Sequence, residues 1–163
     1  MRRLLMNGAM WGAYGQLIVV TGPIFTGLAL WMGLEAADIA VVASIVALAG
    51  LIQPVSSFLT GKLRNQKRFV VLFGLLEVSL VTGVVLIPLA FHAPDARFAL
   101  TATAVLSGTF CGNLAAPVFN SWFSTVLPDE SRARFMGRGL VLFNLTAMAA
   151  GYGAGQFIDL TGR

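Results

Sequence analysis

One acidic residue sits where acids are expensive. Glu77 interrupts the otherwise uncharged stretch Phe69 to His92, eight residues past Phe69, or about 12 Å along a helix rising ~1.5 Å per residue. A carboxylate near the middle of a hydrocarbon layer costs on the order of 3 kcal/mol, and no lysine or arginine lies within the other apolar stretches to pair with it. Two readings stand side by side: a proton- or cation-coupling site, or a carboxyl that stays neutral or snorkels to the rim. Uncharged polar side chains run alongside. Asn7, Tyr14 and Thr21 recur every seven residues and share a helix face, as do Thr109, Asn113 and Asn120. Gln53 and Ser57 align on another helix, and Asn144 opens the last apolar stretch. Such strips either join helices by hydrogen bonds averaging ~0.6 kcal/mol or line a polar cleft.

Other chemistries are poorly provided for. His92 is the only histidine and Cys111 the only cysteine, so there is no internal disulfide and no Cys/His metal cluster. There is no HExxH, no serine–histidine pair within the apolar stretches and no cluster of aspartates. Acid–base and metal chemistry need two or more convergent titratable groups, and only Glu77 lies inside. We therefore expect no enzyme activity, no metal and no cofactor.

The elements that carry these residues follow from the distribution of charge. Of 163 residues 57% are hydrophobic and 11% charged, against roughly 25% charged in a soluble domain. Eighteen charged side chains cannot solvate the surface of so small a globule. The uncharged stretches are each about 20 residues or more, enough to cross a ~30 Å layer as a helix, and in lipid a helix satisfies its own backbone. The expected fold is an all-α, polytopic transmembrane helix bundle in one domain, 1–163, with spans at 7–31, 39–60, 69–91, 98–122 and 139–158. The first stretch is too long for a signal-peptide core and is read as a retained helix.

The connectors are Glu35 to Asp38, Lys62 to Arg68, Ala93 to Arg97 and Pro128 to Arg138. With the amino terminus in the cytoplasm, nine of the eleven basic residues are cytoplasmic and only Arg97 and Arg163 face outward, as the basic bias of inner loops requires. Trp11, Trp31 and Trp122 fall near span ends, where indoles favour the interface. The net charge of +4 fits anionic lipid, at ~1 kcal/mol per basic residue, and not nucleic acid. Gly8, Gly12, Gly15 and Gly22, then Gly108 with Gly112, then Ala147, Gly151 and Gly155 form ridges where helices approach closely. Gly22-Pro23, Gln53-Pro54 and Pro117 are expected to bend or loosen their helices.

Two loops carry a family resemblance. GKLRNQKR resembles the loop between helices two and three of the major facilitator superfamily, commonly written G-x-L-x-D-R-x-G-R-[KR]: Gly61 and Leu63 match, and Lys67 with Arg68 supply the basic end. Asn65 stands where the family has an aspartate and Gln66 where it has arginine, the second glycine is missing and the loop is one residue short. NSWFSTVLPDESRARFMGRG is similar to the family's loop between helices four and five, with Pro128, Arg132, Arg134 and Gly137 at familiar spacing, and AAGYGAGQFID resembles a glycine-rich fifth helix leading to an outer acid, Asp159. The buried arginine of helix four and the glycine-proline motif of helix five are absent.

The resemblance implies twelve helices in two halves, each built from inverted three-helix repeats, with solute bound between the halves near the midplane. This chain then corresponds to helices one to five, an amino-terminal part whose partners are the missing carboxy-terminal helices and the lipid bilayer. By the same analogy helices one, two, four and five line the cavity and helix three is peripheral. Tyr14, Gln16, Asn113, Asn120 and Asn144 become the candidate solute-binding residues, Asn113 and Asn120 foremost because they flank Pro117. The function expected is secondary active transport of a small solute by alternating access, in a bacterial cytoplasmic membrane and inactive without the rest of the transporter. The alternative is a non-transporting five-helix scaffold or assembly subunit.

Overall fold

Every element described is helical. The computed structural model describes Met10 and residues 12–15, 22–126 and 129–161, with no strand among them. Helix α1 spans Pro23–Trp31, α2 Ala36–Thr60, α3 Gln66–Ala90, α4 Pro94–Val126 and α5 Asp129–Thr161. Residues 12–15 are also helical. The helices start and stop for local reasons. α1 begins at Pro23, whose fixed φ suits a first turn. It ends on Gly33 at φ +84°, with Gly33 N–H bonded to Leu30 O at 2.9 Å and Leu34 N–H to Ala29 O at 3.0 Å. This is a Schellman ending, and a Cβ at Gly33 would resist its left-handed turn. α2 opens on a capping box in which Glu35 N–H donates to Asp38 Oδ2 at 3.0 Å.

α2, α3 and α4 are long and apolar enough to cross a membrane, with mean hydropathies of 2.1, 2.5 and 1.3. Only 17%, 11% and 22% of their most apolar windows is buried inside the protein. Phe58, Leu51 and Leu89 are among the large side chains left facing outward. In water such a surface would be untenable; in lipid it is the expected solvent contact. The described chain is thus helical, with three helices of the length and composition to cross a membrane. α5 is as long as α4 but is not one of these three; its charge-free stretch after Arg138 is diluted by Asn144, Gln156 and the glycines at Gly151, Gly153 and Gly155.

Two of the expected boundaries move. The segment 128–138, expected as a connector, is helical from Asp129 onward: its Arg, Ala and Met residues are good helix formers. The segment 93–97 likewise gives way to α4 at Pro94. The proline expectations divide. Before Pro54 the chain tightens into a 3₁₀ turn at Gly50–Ile52, and α2 resumes at Gln53. Pro88 follows a second such turn, Val84–Leu86, in α3. Pro117 lies inside α4, which continues through it.

The described residues fall into two compact units, one of Met1–Gly27 with Leu127–Arg163 and one of Leu28–Val126. In the second unit α4 is central, packing on α2 and more extensively on α3. Its buried residues Thr101, Val105, Gly108, Ala115 and Val118 repeat at alternating threes, fours and sevens, the spacing of a seam between helices crossing at a shallow angle. Val81, Val84 and Pro88 form the facing seam of α3. In the first unit Gly12 is the close approach. A Cβ there would collide with Phe143 O and Thr146 Oγ1 and lie 2.9 Å from the Phe143 carbonyl carbon, so residue 12 packs directly on the backbone of α5.

Candidate functional site

Polar groups converge on one level of α4. Gln53, just past the 3₁₀ turn of α2, donates from Nε2 to Asn113 Oδ1 at 2.6 Å. Asn113 in turn donates from Nδ2 to Thr109 O at 2.9 Å. One turn on from Gln53, the fully buried Ser56 donates its hydroxyl to Leu114 O. Ser57 bonds back to Gln53 O at 3.1 Å and faces outward. The loosened backbone around Gly50–Ile52 lies one turn before these residues, which ties α2 to α4 at the place where α2 itself is least regular.

From the other side α3 delivers its acid to the same level. A Cβ on Gly112 would fall 2.6 Å from Glu77 Oε2 and closer still to Oε1 and Cδ. The carboxyl therefore fills the notch left by the missing side chain. Below it Gly108 admits Val81, whose Cγ2 lies 2.6 Å from a Cβ built there, and Leu80. Glu77 is eleven residues from Gln66 and thirteen from Ala90, so it sits about 16 Å along α3, in its middle. Residues 112–114 of α4 thus receive an acid from α3 and an amide and a hydroxyl from α2. Such a level can hydrogen-bond a polar solute, carry a proton on Glu77, or hold three helices in register.

The candidate residues separate between the units. Asn113 lies in the convergence just described. Asn120, two turns on, is exposed on α4. Tyr14 and Asn144 belong to the other unit; Tyr14 is half-buried, and Asn144 is exposed and bonds to Leu140 O of its own helix at 3.0 Å. Gln16 lies outside the described residues, as do Asn7 and Thr21. Among the loop residues, Gly61 and Leu63 form the turn after α2, Arg68 is exposed, Arg132 is half-buried, Arg134 and Gly137 are exposed, and Pro128 lies outside the described residues. The two positions that depart from the facilitator pattern cap the neighbouring helices. Asn65 Oδ1 accepts from Arg68 N–H at 3.1 Å at the start of α3, and Gln66 Nε2 donates to Thr60 O at 3.1 Å at the end of α2.

Three contributors were not singled out by sequence reasoning. Gln53 stands out in the sequence only for the strip it shares with Ser57, and the one signal of Ser56 is its place a turn past Gln53. Arg97 reads in the sequence only as a charge opening the fourth span. It donates from Nε to Phe91 O at 2.8 Å and from Nη1 to Met32 O at 2.7 Å, tying the ends of α1 and α3 to the start of α4.

Comparison of the chain with known protein families, curated proteins and solved structures returns no match.

Proposed function

We propose that this chain is the amino-terminal part of a secondary active transporter that moves a small solute by alternating access. The observation that carries the reading is the convergence of Gln53, Ser56, Asn113 and Glu77 on residues 109–114 of α4, where Ser56 is buried, Asn113 and Glu77 are half-buried and Gln53 is exposed. Interior acids in membrane helices mark ion or substrate pathways by default. Transporter sites also favour loosened helix segments near the midplane, as α2 has before Gln53. In this reading Gln53 and Asn113 exchange their mutual hydrogen bond for bonds to the solute, and Glu77 carries the coupling proton or cation. By the resemblance alone, Tyr14, Gln16, Asn120 and Asn144 are further candidates for contact with the solute. The major facilitator resemblance of the 61–68 and 128–138 segments supports the same reading. The basic bias of the loops adds a cytoplasmic amino terminus, and the short connectors a bacterial cytoplasmic membrane. No step makes or breaks a covalent bond.

A second reading is favoured by α5. Among the described residues nothing lies within 4 Å of a Cβ placed at Gly153 or Gly155, a small-residue face that a partner helix could use, as in a scaffold subunit. Reading the coding sequence downstream of Arg163 separates the two: a sixth span and a second six-helix half favour the transporter, an immediate stop the scaffold. Uptake of a solute panel by the complete gene product then tests the site. Asn113→Ala and Asn120→Ala are expected to weaken apparent affinity, and unaltered affinity in both removes the cavity assignment. A pH profile left unchanged by Glu77→Gln removes the coupling role.

A further inference from the structure

The turn between α2 and α3 places four basic residues, Lys62, Arg64, Lys67 and Arg68, within seven positions, and no acid lies between Asp38 and Glu77. Where this turn meets α3 there is an open groove of about 400 Å³ lined by Asn65, Lys67, Arg68, Val71, Leu72 and Leu75. Its two halves differ in chemistry. Positions 65, 67 and 68 offer an amide and two cations. Positions 71, 72 and 75 continue the face of Arg68 at helical spacing and expose more than half of each apolar side chain. From Arg68 to Leu75 is about 10 Å along the helix axis, several methylenes of an acyl chain. A second groove, of about 280 Å³ between α2 and α4, is lined by Leu48, Ala49, Leu51, Ile52, Leu106 and Phe110. It has no charged wall with which to select an occupant.

We propose that the groove at the start of α3 holds one anionic phospholipid from the leaflet facing this turn. Its phosphate lies between Lys67 and Arg68, and one acyl chain runs along Val71, Leu72 and Leu75. The charge fixes the occupant. A soluble anion would leave the apolar half uncovered, and a zwitterionic lipid would bring its own cation against two others. A basic cluster directly at the end of a membrane helix is the pattern that binds anionic lipid. This site is independent of transport and needs only that α3 spans a bilayer.

The test uses the full chain in mixed micelles with photoactivatable phosphatidylglycerol or phosphatidylcholine, each carrying the reactive group in the acyl chain. The phosphatidylglycerol probe is expected to label residues 69–76 in large excess over phosphatidylcholine, while the two probes label the α2–α4 groove equally. Lys67→Gln with Arg68→Gln is expected to reduce the excess roughly 30-fold, the combined effect of two basic side chains at a membrane surface; Arg134→Gln with Arg138→Gln is expected to leave it. Rising salt is expected to erode the excess in the unaltered chain, a readout that stands even where the double variant does not fold. Equal labelling by both probes overturns the proposal, as does an excess that survives both the double substitution and high salt. So does competition by glycerol phosphate as effective as that by the whole lipid.

Discussion

The carboxyl of Glu77 occupies the volume that a side chain on Gly112 would need. The two residues lie on different helices, α3 and α4, and each accounts for the other: the glycine makes room for an acid, and the acid fills a gap that would otherwise weaken the seam. A built Cβ at Gly112 meets the carboxyl and no other group within the three nearest atoms, so the pair is directly coupled.

Gly112→Ala should therefore push the Glu77 carboxyl aside, and because that group is the far end of a flexible side chain the cost should fall at or below the low end of the about 1–3 kcal/mol range for overpacking a fitted interior. The same substitution in a Glu77→Ala background should cost much less, because the colliding group is gone. Thermal unfolding of the four proteins in detergent closes the cycle. Additive losses would mean that the two side chains do not share this space.

Gln53 and Asn113 should show a small favourable coupling. A single amide–amide bond between membrane helices is worth about 0.6 kcal/mol on average, so Gln53→Ala and Asn113→Ala should each cost little and the double variant less than their sum. Ser56→Ala, by contrast, removes a fully buried hydroxyl bonded to the Leu114 carbonyl and should cost at least as much as either. Urea- or heat-induced unfolding in lipid-detergent mixtures measures all four.

The glycines should not be equivalent. Gly12→Ala drives a methyl group into the backbone carbonyl of Phe143, which cannot turn aside as a side chain would, and should cost about 1–3 kcal/mol. Gly155→Ala meets no described atom within 4 Å and should be neutral or slightly stabilising, since alanine is the better helix former. Equal melting temperatures for the two variants would contradict the packing of residue 12 on α5.

Arg97→Ala should lower stability by roughly 1.5–3 kcal/mol, the range for hydrogen bonds made by a charged donor. It removes donors from both Phe91 O and Met32 O. Arg97→Lys should recover only part of the loss, because one ammonium lacks the fork that spans two carbonyls. Hydrogen exchange at the ends of α1 and α3 should quicken in both variants, more in the alanine.

How much of this was legible in the sequence differs by residue. Glu77 was conspicuous because charge in an apolar run needs no knowledge of neighbours, and Gly108 and Gly112 because a four-residue repeat of small side chains is a local pattern. Asn113 was legible as polar chemistry on a helix face; that Gln53 meets it was not. Arg97 read as a loop charge, since nothing beside it in the chain announces the Met32 carbonyl it bonds. The connector expected at 128–138 is helical from Asp129 onward because its residues favour a helix, a preference that the spacing of charges hides.

The sequence alone determined the solvent and the kind of element. Too few charges to face water and runs of about twenty apolar residues leave helices in lipid as the economical solution, and helix hydrogen bonds reach only four residues along the chain. Caps such as Asn65, Asp38 and Gly33 are local for the same reason. The tertiary structure alone decided which faces meet. Gln53 and Asn113 are 60 positions apart and Met32 and Arg97 are 65. Inside lipid, helices are sorted by the fit of side chains rather than by hydrophobicity. That fit depends on the shapes of both partners at once, so neither segment specifies it alone.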